Sequence, residues 1–138
     1  MPTSYVLDAC ALIALLADEV GAEVVGNVLI AADEGRTKVY IHEINLLEVY
    51  YDVIKVAGSD VAATLLSDVA ASSIEVIHSL SDQVFRLAGR LKAQYRISLA
   101  DAIALSVTHN LGACLLSSDH HEFEPLQEAR EAEIRWIR

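Results

Sequence analysis

Short apolar runs alternate with longer segments of helical periodicity along the chain. Four of the apolar runs have the length of buried strands, and a fifth near the end of the sequence fits an edge strand. The segments between them repeat their apolar residues at the spacing of helices, mostly with two helices per interval. The predicted strands span 5–7, 39–41, 74–77, 113–116 and 134–137.

Capping residues mark where the predicted helices begin and end. Small polar residues precede several apolar segments, and glycines follow them, as is typical of helix N-caps and C-caps. Asp8 is expected to cap the first helix, and Ser59 or Asp60 the fourth. Gly58 is expected to end the third. The predicted helices span 9–17, 21–32, 43–57, 59–71, 81–95 and 98–110, and a further helix after the fourth strand is optional.

This order of elements predicts an α/β fold, a three-layer α/β/α sandwich. Strands that alternate with helical segments form parallel sheets through right-handed crossovers, with helices on both faces. The chain has 138 residues, and a domain of this length can bury roughly 68% of the surface that its unfolded chain exposes. We therefore expect a single domain, 1–138, built on a central, mostly parallel sheet.

Composition restricts the classes of partner. Hydrophobic residues make up 54% of the chain, which indicates a surface buried in an oligomer, and we expect a homodimer. The formal net charge of −10 argues against capture of nucleic acid by the overall field of the protein. A bound metal could still supply local positive charge. The few basic residues are partly grouped, at Arg86, Arg90, Lys92 and Arg96.

The cysteines and the amino-terminal segment indicate a cellular location. Cys10 and Cys114 are the only cysteines, so both are expected to be reduced core residues. Residues 1–5 lack a basic region before the first apolar run, which argues against a signal peptide. No run of 18 apolar residues occurs, which argues against a membrane span. We therefore expect a cytoplasmic protein.

Four carboxylates follow predicted strands or lie early in the helices after them: Asp8, Glu48, Asp101 and Asp119. Because parallel strands bring their carboxyl ends to one edge of the sheet, acids far apart in sequence could share one crevice there. Acids gathered so closely disfavour one another's ionisation, so a divalent cation is the natural companion. An oxygen-only ligand set suits Mg²⁺ or Mn²⁺ and is consistent with a phosphodiester substrate.

Three of these acids also have a purely structural interpretation. Asp8 could simply cap the helix that follows it. Ser98-Leu-Ala-Asp101 matches a capping box before an apolar run, which would account for Asp101. Asp119 lies in a polar run typical of a turn. The adjacent His120 and His121 point in different directions and lack the spacing of a helical zinc motif, so zinc is disfavoured.

Glu48 belongs to a narrow polar stripe on an otherwise apolar helix. At about 100° per residue, the stripe covers a sector of only roughly 80°. Such a stripe is either the solvent edge of the helix or the wall of a cleft, and the stripe alone favours the solvent edge. Its members are Asn45, Glu48, Asp52 and Lys55. Asp52 and Lys55 are near enough for a weak surface pair.

The motifs that carry these acids resemble those of the PIN-domain ribonuclease family, particularly the VapC-like toxins of bacterial and archaeal toxin-antitoxin pairs. The resemblance extends from residue 5 to about 126. It rests on four short segments in a fixed order, 5–16, 44–51, 97–105 and 115–123. One position differs, since Phe123 follows Asp119 by four residues where many relatives have the aromatic residue at three.

The resemblance implies an acidic site for Mg²⁺ or Mn²⁺ formed by four side chains, Asp8, Glu48, Asp101 and Asp119. Asp8 and Asp101 are the first choice as direct ligands. Ser117 matches a hydroxyl position before the last acid, and Glu19 resembles an additional acidic position after the first helix. The resemblance further implies metal-assisted hydrolysis of RNA with one or two ions. It also implies an antitoxin partner that covers the site.

Other functions fit the sequence less well. A haloacid-dehalogenase-like phosphatase expects Asp-x-Asp, and this chain has Asp8-Ala-Cys10. A response-regulator receiver needs a lysine after a late strand, and the lysines are Lys38, Lys55 and Lys92. No glycine pattern supports nucleotide binding. The non-enzymatic alternative is a catalytically silent PIN-like interaction module, whose apolar helical surface in 9–16 and 49–54 could bind an antitoxin or a second copy of the chain.

Overall fold

Five parallel strands form the central sheet of the computed structural model, which describes residues 4–138. The strands are β1 (Ser4–Leu7), β2 (Lys38–His42), β3 (Ile74–Ile77), β4 (Cys114–Ser117) and β5 (Glu133–Trp136). Their order in the sheet is β3-β2-β1-β4-β5, and each pair of neighbours is parallel. The expected parallel sheet is confirmed. The expectation about a signal peptide lies outside the described residues where it concerns 1–3.

Seven helices connect the strands within residues 4–138. They are α1 (Ala9–Leu16), α2 (Ala22–Asp33), α3 (Glu43–Ala57), α4 (Ser59–Ala71), α5 (Asp82–Gln94), α6 (Leu99–Leu111) and α7 (His120–Glu128). The optional helix of the sequence analysis is α7. No helix in this part of the chain has the length and apolar character needed to cross a membrane.

Most of the expected caps form. Asp8 and Ser98 accept hydrogen bonds from backbone amides in the first turns of α1 and α6. The expected cap of α4 by Ser59 or Asp60 is wrong, because Gly58 occupies the N-cap position and no side chain caps this helix. Gly58 ends α3 with φ +93°, and α4 starts at the next residue, so no position remains for a separate capping residue.

The two faces of the sheet carry separate cores, which establishes the expected three layers. Successive side chains of a strand point to opposite faces. Leu7 and Leu116 therefore pack in the cluster beneath α1 to α4. Val6 and Leu115 pack in the other cluster, with residues of α5, α6 and α7.

The chain changes direction across the sheet between β1 and β4. From β1 it proceeds to β2 and β3 on one side, and it then returns to β4 and β5 on the other side. The two central strands are in register with Leu7 opposite Leu116. Ligands of open parallel sheets bind outside the carboxyl ends of the strands at such a switch point. The residues that follow Leu7 and Leu116 therefore border the expected crevice.

The turn before α2 should tolerate no side chain at Gly21. This residue has φ +102°, and a Cβ would lie 2.8 Å from Cγ1 and 2.9 Å from the carbonyl oxygen of Ile137. Gly21→Ala should lower the free energy of unfolding by roughly 2 kcal/mol or more, since it combines left-handed strain with overpacking. Gly89→Ala, in an open position of α5, should be neutral or stabilising by about 0.5–1 kcal/mol. Equal changes in the free energy of unfolding of the two variants, measured by denaturant titration, would contradict the claim that Gly21 has no room for a side chain.

Candidate metal centre

Asp8 and Ser117 lie at the carboxyl ends of the two central strands. Asp8 follows β1 directly, is 1% exposed and caps α1, with its Oδ1 accepting from the Ala11 amide at 2.8 Å. Its Oδ2 is buried and has no hydrogen bond within 3.5 Å among the described residues, although the Ser117 hydroxyl is near enough to lower the pKa of this carboxyl. Ser117 ends β4, and its Oγ accepts from the Asp119 amide at 3.0 Å. Because buried polar atoms normally have partners, the free Oδ2 of Asp8 calls for a ligand or another explanation.

Three further carboxylates converge where α6 and α7 begin. One oxygen atom from each of Asp101, Asp119 and Glu122 lies within 4.8 Å of the other two. The backbone fixes these positions through caps: the Asp101 amide donates to Ser98 Oγ at 3.1 Å, and the Glu122 amide donates to Asp119 Oδ1 at 3.1 Å. The Oε2 atom of Glu122 is buried and has no partner in the described part of the chain.

The raised pKa of Asp8 shows that the site disfavours a negative charge on this carboxyl. Burial raises the pKa of Asp8 to about 6. The hydroxyl of Ser117 and the amide of Ala11 lower this pKa, whereas the charges of Asp119 and Glu48 raise it. Asp8 is therefore electrostatically coupled to acids from two other elements.

Asp101 connects Asp8 with the other two carboxylates at the helix ends. Burial raises the pKa of Asp101 to about 7, and the neighbouring Ser98 hydroxyl opposes this change. The charges of Asp8, Glu122 and Asp119 also contribute to this raised value. The acids thus form one coupled group in which full ionisation is unfavourable without a positive partner.

Glu48 reaches the same region from α3. Burial is the main cause of its raised pKa, and Asp52 adds to the shift. The polar stripe of this helix starts at fully buried Asn45, passes through half-buried Glu48 and reaches exposed Asp52 and Lys55. The solvent-edge interpretation therefore fails for Asn45. The expected pair of Asp52 with Lys55 is absent from the ion pairs of residues 4–138, and Lys55 Nζ lies 5.5 Å from the ring centre of Tyr51 instead.

The charges of all four acids that the sequence analysis selected raise the pKa of the Cys10 thiol. Burial raises its pKa to about 12, and four carboxylate charges add to the effect, those of Asp8, Asp119, Asp101 and Glu48. Because such effects weaken with distance, the acids must share one region around the start of α1. The expectation of two core cysteines holds for Cys114 and is wrong for Cys10, which is partly buried beside the acids.

Glu122 was not selected by the sequence analysis. It follows Asp119 by three residues, which is the spacing of a capping box, and this signal could have placed both acids on the first turn of a helix. Glu19 is exposed between α1 and α2, and its charge is not among those that shift the pKa of Asp8 or Asp101.

The two histidines after Asp119 lie outside the carboxylate group. The ring of His120 stacks on Trp136 with centroids 3.9 Å apart, and its Nδ1 lies 2.9 Å from Glu124 Oε1. Phe123, the position that differs from many relatives, is fully buried, and its amide donates to the Asp119 carbonyl at 3.1 Å. The four-residue spacing therefore corresponds to a regular first turn of α7.

This donor set fits a hard divalent cation. All of the converging atoms are carboxylate oxygens, which Mg²⁺ and Mn²⁺ prefer. Asp8 and Glu122 each offer a buried oxygen that has no partner within residues 4–138. None of the ion pairs among residues 4–138 involves Asp8, Asp101, Asp119 or Glu122. The site therefore provides ligand atoms without an internal counter-charge.

Removing the buried charge of Asp8 should stabilise the metal-free protein at neutral pH. The pKa of Asp8 is raised from 3.8 to about 6, so the folded state binds more protons between these values, and stability falls as pH rises through this range. Asp8→Asn keeps an effective N-cap and remains neutral. In EDTA its thermal midpoint should exceed that of the wild type at pH 7.5 and approach it near pH 4.

Asp60→Asn, at an exposed position in the first turn of α4, is the matched control and should lower either midpoint only slightly, because it loses no more than a weak interaction with the helix dipole. A variant of Asp8 that is less stable than the wild type at pH 7.5 would show that the carboxylate is favourably paired.

Comparison with known proteins assigns the fold to a family. The sequence profile of the PIN domain matches residues 5–128. At the level of sequence, no protein with a curated description matches the chain.

Solved structures share this fold over nearly the whole chain. A chain from VapBC2 of Rickettsia felis, bound to a promoter DNA fragment, aligns with a TM-score of 0.72 and 18% identity over 96% of this chain and 98% of its own. A chain from DNA-bound VapBC of Salmonella typhimurium gives 0.75 and 14% over 98% of each. VapC20 of Mycobacterium tuberculosis, a toxin that cleaves the sarcin-ricin loop, gives 0.64 and 15% over 80% of this chain and 86% of its own.

Proposed function

Because the chain belongs to the PIN-domain family, a family of ribonucleases, we propose that it is a metal-dependent endoribonuclease that hydrolyses phosphodiester bonds of RNA. The single observation that carries the proposal is Asp8, a carboxylate buried at the switch point of the sheet with one oxygen unpartnered among the described residues. A buried acid of this kind is costly to keep unless it binds something.

The proposed ligands are Asp8 and the acids that are electrostatically coupled to it, although Asp8 is not one of the three carboxylates whose oxygens lie within 4.8 Å of one another. Asp8 and Asp101 would bind the ion directly, and Asp119 and Glu122 offer further oxygens beside Asp101. A bound Mg²⁺ or Mn²⁺ supplies Lewis-acid activation of water and neutralises charge on the phosphate. Ser117 holds the Asp119 backbone in place through its hydroxyl.

Glu48 is the proposed proton acceptor of the site. It is half-buried, its pKa is raised by burial, and its charge acts on Asp8, so it lies near the other acids without belonging to the trio at the helix ends. A carboxylate with a raised pKa is a better base for removing a proton from an attacking water.

Asp8 and Asp101 must lose their protons to bind a cation, so activity should increase as pH rises through 6 to 7.

The basic segment contributes little free charge to substrate capture. Arg86 and Arg90 form ion pairs with carboxylates, and Lys92 donates to a backbone carbonyl. Arg96 is exposed and forms no ion pair with the residues that the structure describes. With a net charge of −10, the protein would depend on the bound cation to attract an RNA phosphate.

Asp8→Asn and Asp101→Asn should each reduce RNA cleavage by roughly 100-fold or more, because each removes a ligand charge that the cation requires. The measurement is cleavage of a labelled RNA in Mg²⁺ or Mn²⁺, with EDTA as the metal-free reference. Asp60→Asn should cleave at the wild-type rate. If both site variants fold and still cleave normally, the assignment of these acids is wrong. A wild type that neither cleaves RNA nor binds a divalent ion would be a structural relative without the activity.

We also propose that the chain is the toxin of a toxin-antitoxin pair, because the solved structures that share its fold include VapBC complexes. An RNA substrate is consistent with the cytoplasmic location that the sequence predicts.

A groove of about 410 Å³ between α1, α3 and α4 is a suitable binding surface for the antitoxin. Its apolar lining consists of Ile13, Leu16, Ala17, Val53, Val56, Ala57, Val61 and Leu65. Asp52 and Asp68 also line it, which favours a partner helix that combines apolar and basic residues.

A second copy of the chain is the other proposed partner. Leu80 and Phe85, around the start of α5, are 48% and 64% exposed and lie outside the groove. Exposed apolar side chains of this size are typical of subunit interfaces. Sedimentation of the purified chain alone would give twice the monomer mass if the homodimer forms, and the monomer mass if it does not.

Substitution in the groove should release the antitoxin. Val56 is 88% exposed, and Val56→Asp would place a charge among the apolar residues of α1, α3 and α4. Co-expressed with the proposed antitoxin, this variant should retain roughly tenfold less partner during purification than the wild type. Val20→Asp is the control, since Val20 is 72% exposed and lies outside the groove. Equal loss in both variants would contradict the assignment of the groove.

A further inference from the structure

Asn45 joins the two helices that carry Glu48 and Asp101. Its Nδ2 donates to the carbonyl oxygen of Ala100 at 3.1 Å, and the side chain is fully buried. Ala100 directly precedes Asp101, and Glu48 lies one turn after Asn45 on α3. This hydrogen bond therefore links the backbone next to Asp101 with the turn of α3 that leads to Glu48.

Packing alone does not explain an amide at this position. Ile44 packs against the core cluster of α5 to α7, whereas Leu46 and Val49 belong to the cluster of α1 to α4. Asn45 thus lies where the two cores meet, and an apolar residue could fill the space. The amide instead leaves its Oδ1 buried and without a partner among the described residues, which is destabilising.

The hydrogen bond has a geometric consequence for α6. The first turn of a helix has few restraints of its own, and here the Ser98 hydroxyl provides the local cap. The Asn45 bond adds a lateral restraint from α3 to the same turn, at the residue before Asp101. His42 fixes the beginning of α3, since its Nδ1 accepts from the Ile44 amide at 3.1 Å. The start of α3 is therefore a rigid support for the start of α6.

We propose that Asn45 is a positioning residue of the carboxylate site, which sets the separation between Glu48 and Asp101 through its bond to Ala100. The inference rests on the proposed function, because it assigns Asn45 to the same cation site. Groups that orient ligands without binding the ion commonly change metal affinity by about 10–100-fold when they are replaced. Asn45 has this role from α3, whereas Asp101, the ligand that it orients, lies on α6.

The test compares metal affinity with stability. Mn²⁺ binding is measured by calorimetry at 25 °C, and the thermal midpoint is measured in EDTA. Asn45→Leu fills the same space without the donor and should weaken Mn²⁺ binding by roughly 10-fold or more. Asn45→Ser, a smaller change for the case in which the leucine variant does not fold, should have the same direction of effect.

Thr108→Val is the matched control on α6. Thr108 is fully buried, and its hydroxyl donates to the Ala104 carbonyl at 2.7 Å, so its replacement also removes a buried hydrogen bond to the backbone. It should lower the midpoint and leave the Mn²⁺ dissociation constant within about twofold of the wild-type value. A purely structural role of Asn45 would produce this same result, with lower stability and unchanged affinity, and would overturn the proposal.

A second background tests whether Asn45 acts through Glu48. In Glu48→Gln protein, Asn45→Leu should weaken Mn²⁺ binding less than it does in the wild type, because a neutral side chain at this position no longer adds its charge to the cation site and its separation from Asp101 matters less. Independent, additive effects would overturn the positioning role while leaving the cation site intact. A wild type that binds no Mn²⁺ would instead remove the proposed function, and the role of Asn45 with it.

Discussion

The structure depends on carboxylates held together at the carboxyl edge of the sheet, none of which forms an ion pair with a residue of the described chain. Asp8 is buried directly before α1, and Asp101 and Asp119 lie at the starts of α6 and α7. The pKa values of Asp8 and Asp101 rise because ionisation is opposed by burial and by neighbouring charges. A protein gains no stability from such an arrangement alone. The arrangement is understandable if the missing positive charge is supplied from outside.

The fold partly compensates for this repulsion through its helix ends. Asp8 caps α1, Asp119 caps α7, and Asp101 lies in the first turn of α6. Backbone amides and the positive end of each helix dipole favour a carboxylate at these positions. Capping and ligand binding are therefore compatible roles: Asp8 uses one oxygen for the cap and leaves the other unpartnered within the described residues.

The sequence predicts this framework well because its signals are local. The helix over 43–57 and the strand over 74–77 have the bounds that periodicity and Gly58 indicated. The sequence analysis misjudged features that depend on tertiary contacts. Asn45 was interpreted as part of a solvent-exposed stripe of α3, but the packing of α6 against α3 buries it. Glu122 was missed because α7 was only optional, and without that helix its approach to Asp101 could not be anticipated.

The most direct test of the account is where a divalent ion binds. Crystals grown or soaked with Mn²⁺ at pH 7.5 allow the ion to be located by its anomalous scattering. The account predicts an anomalous peak in contact with Asp8 Oδ2 and at least one oxygen of Asp101, Asp119 or Glu122. A fully formed carboxylate cluster with no peak under saturating Mn²⁺, or a peak elsewhere on the protein, would contradict it.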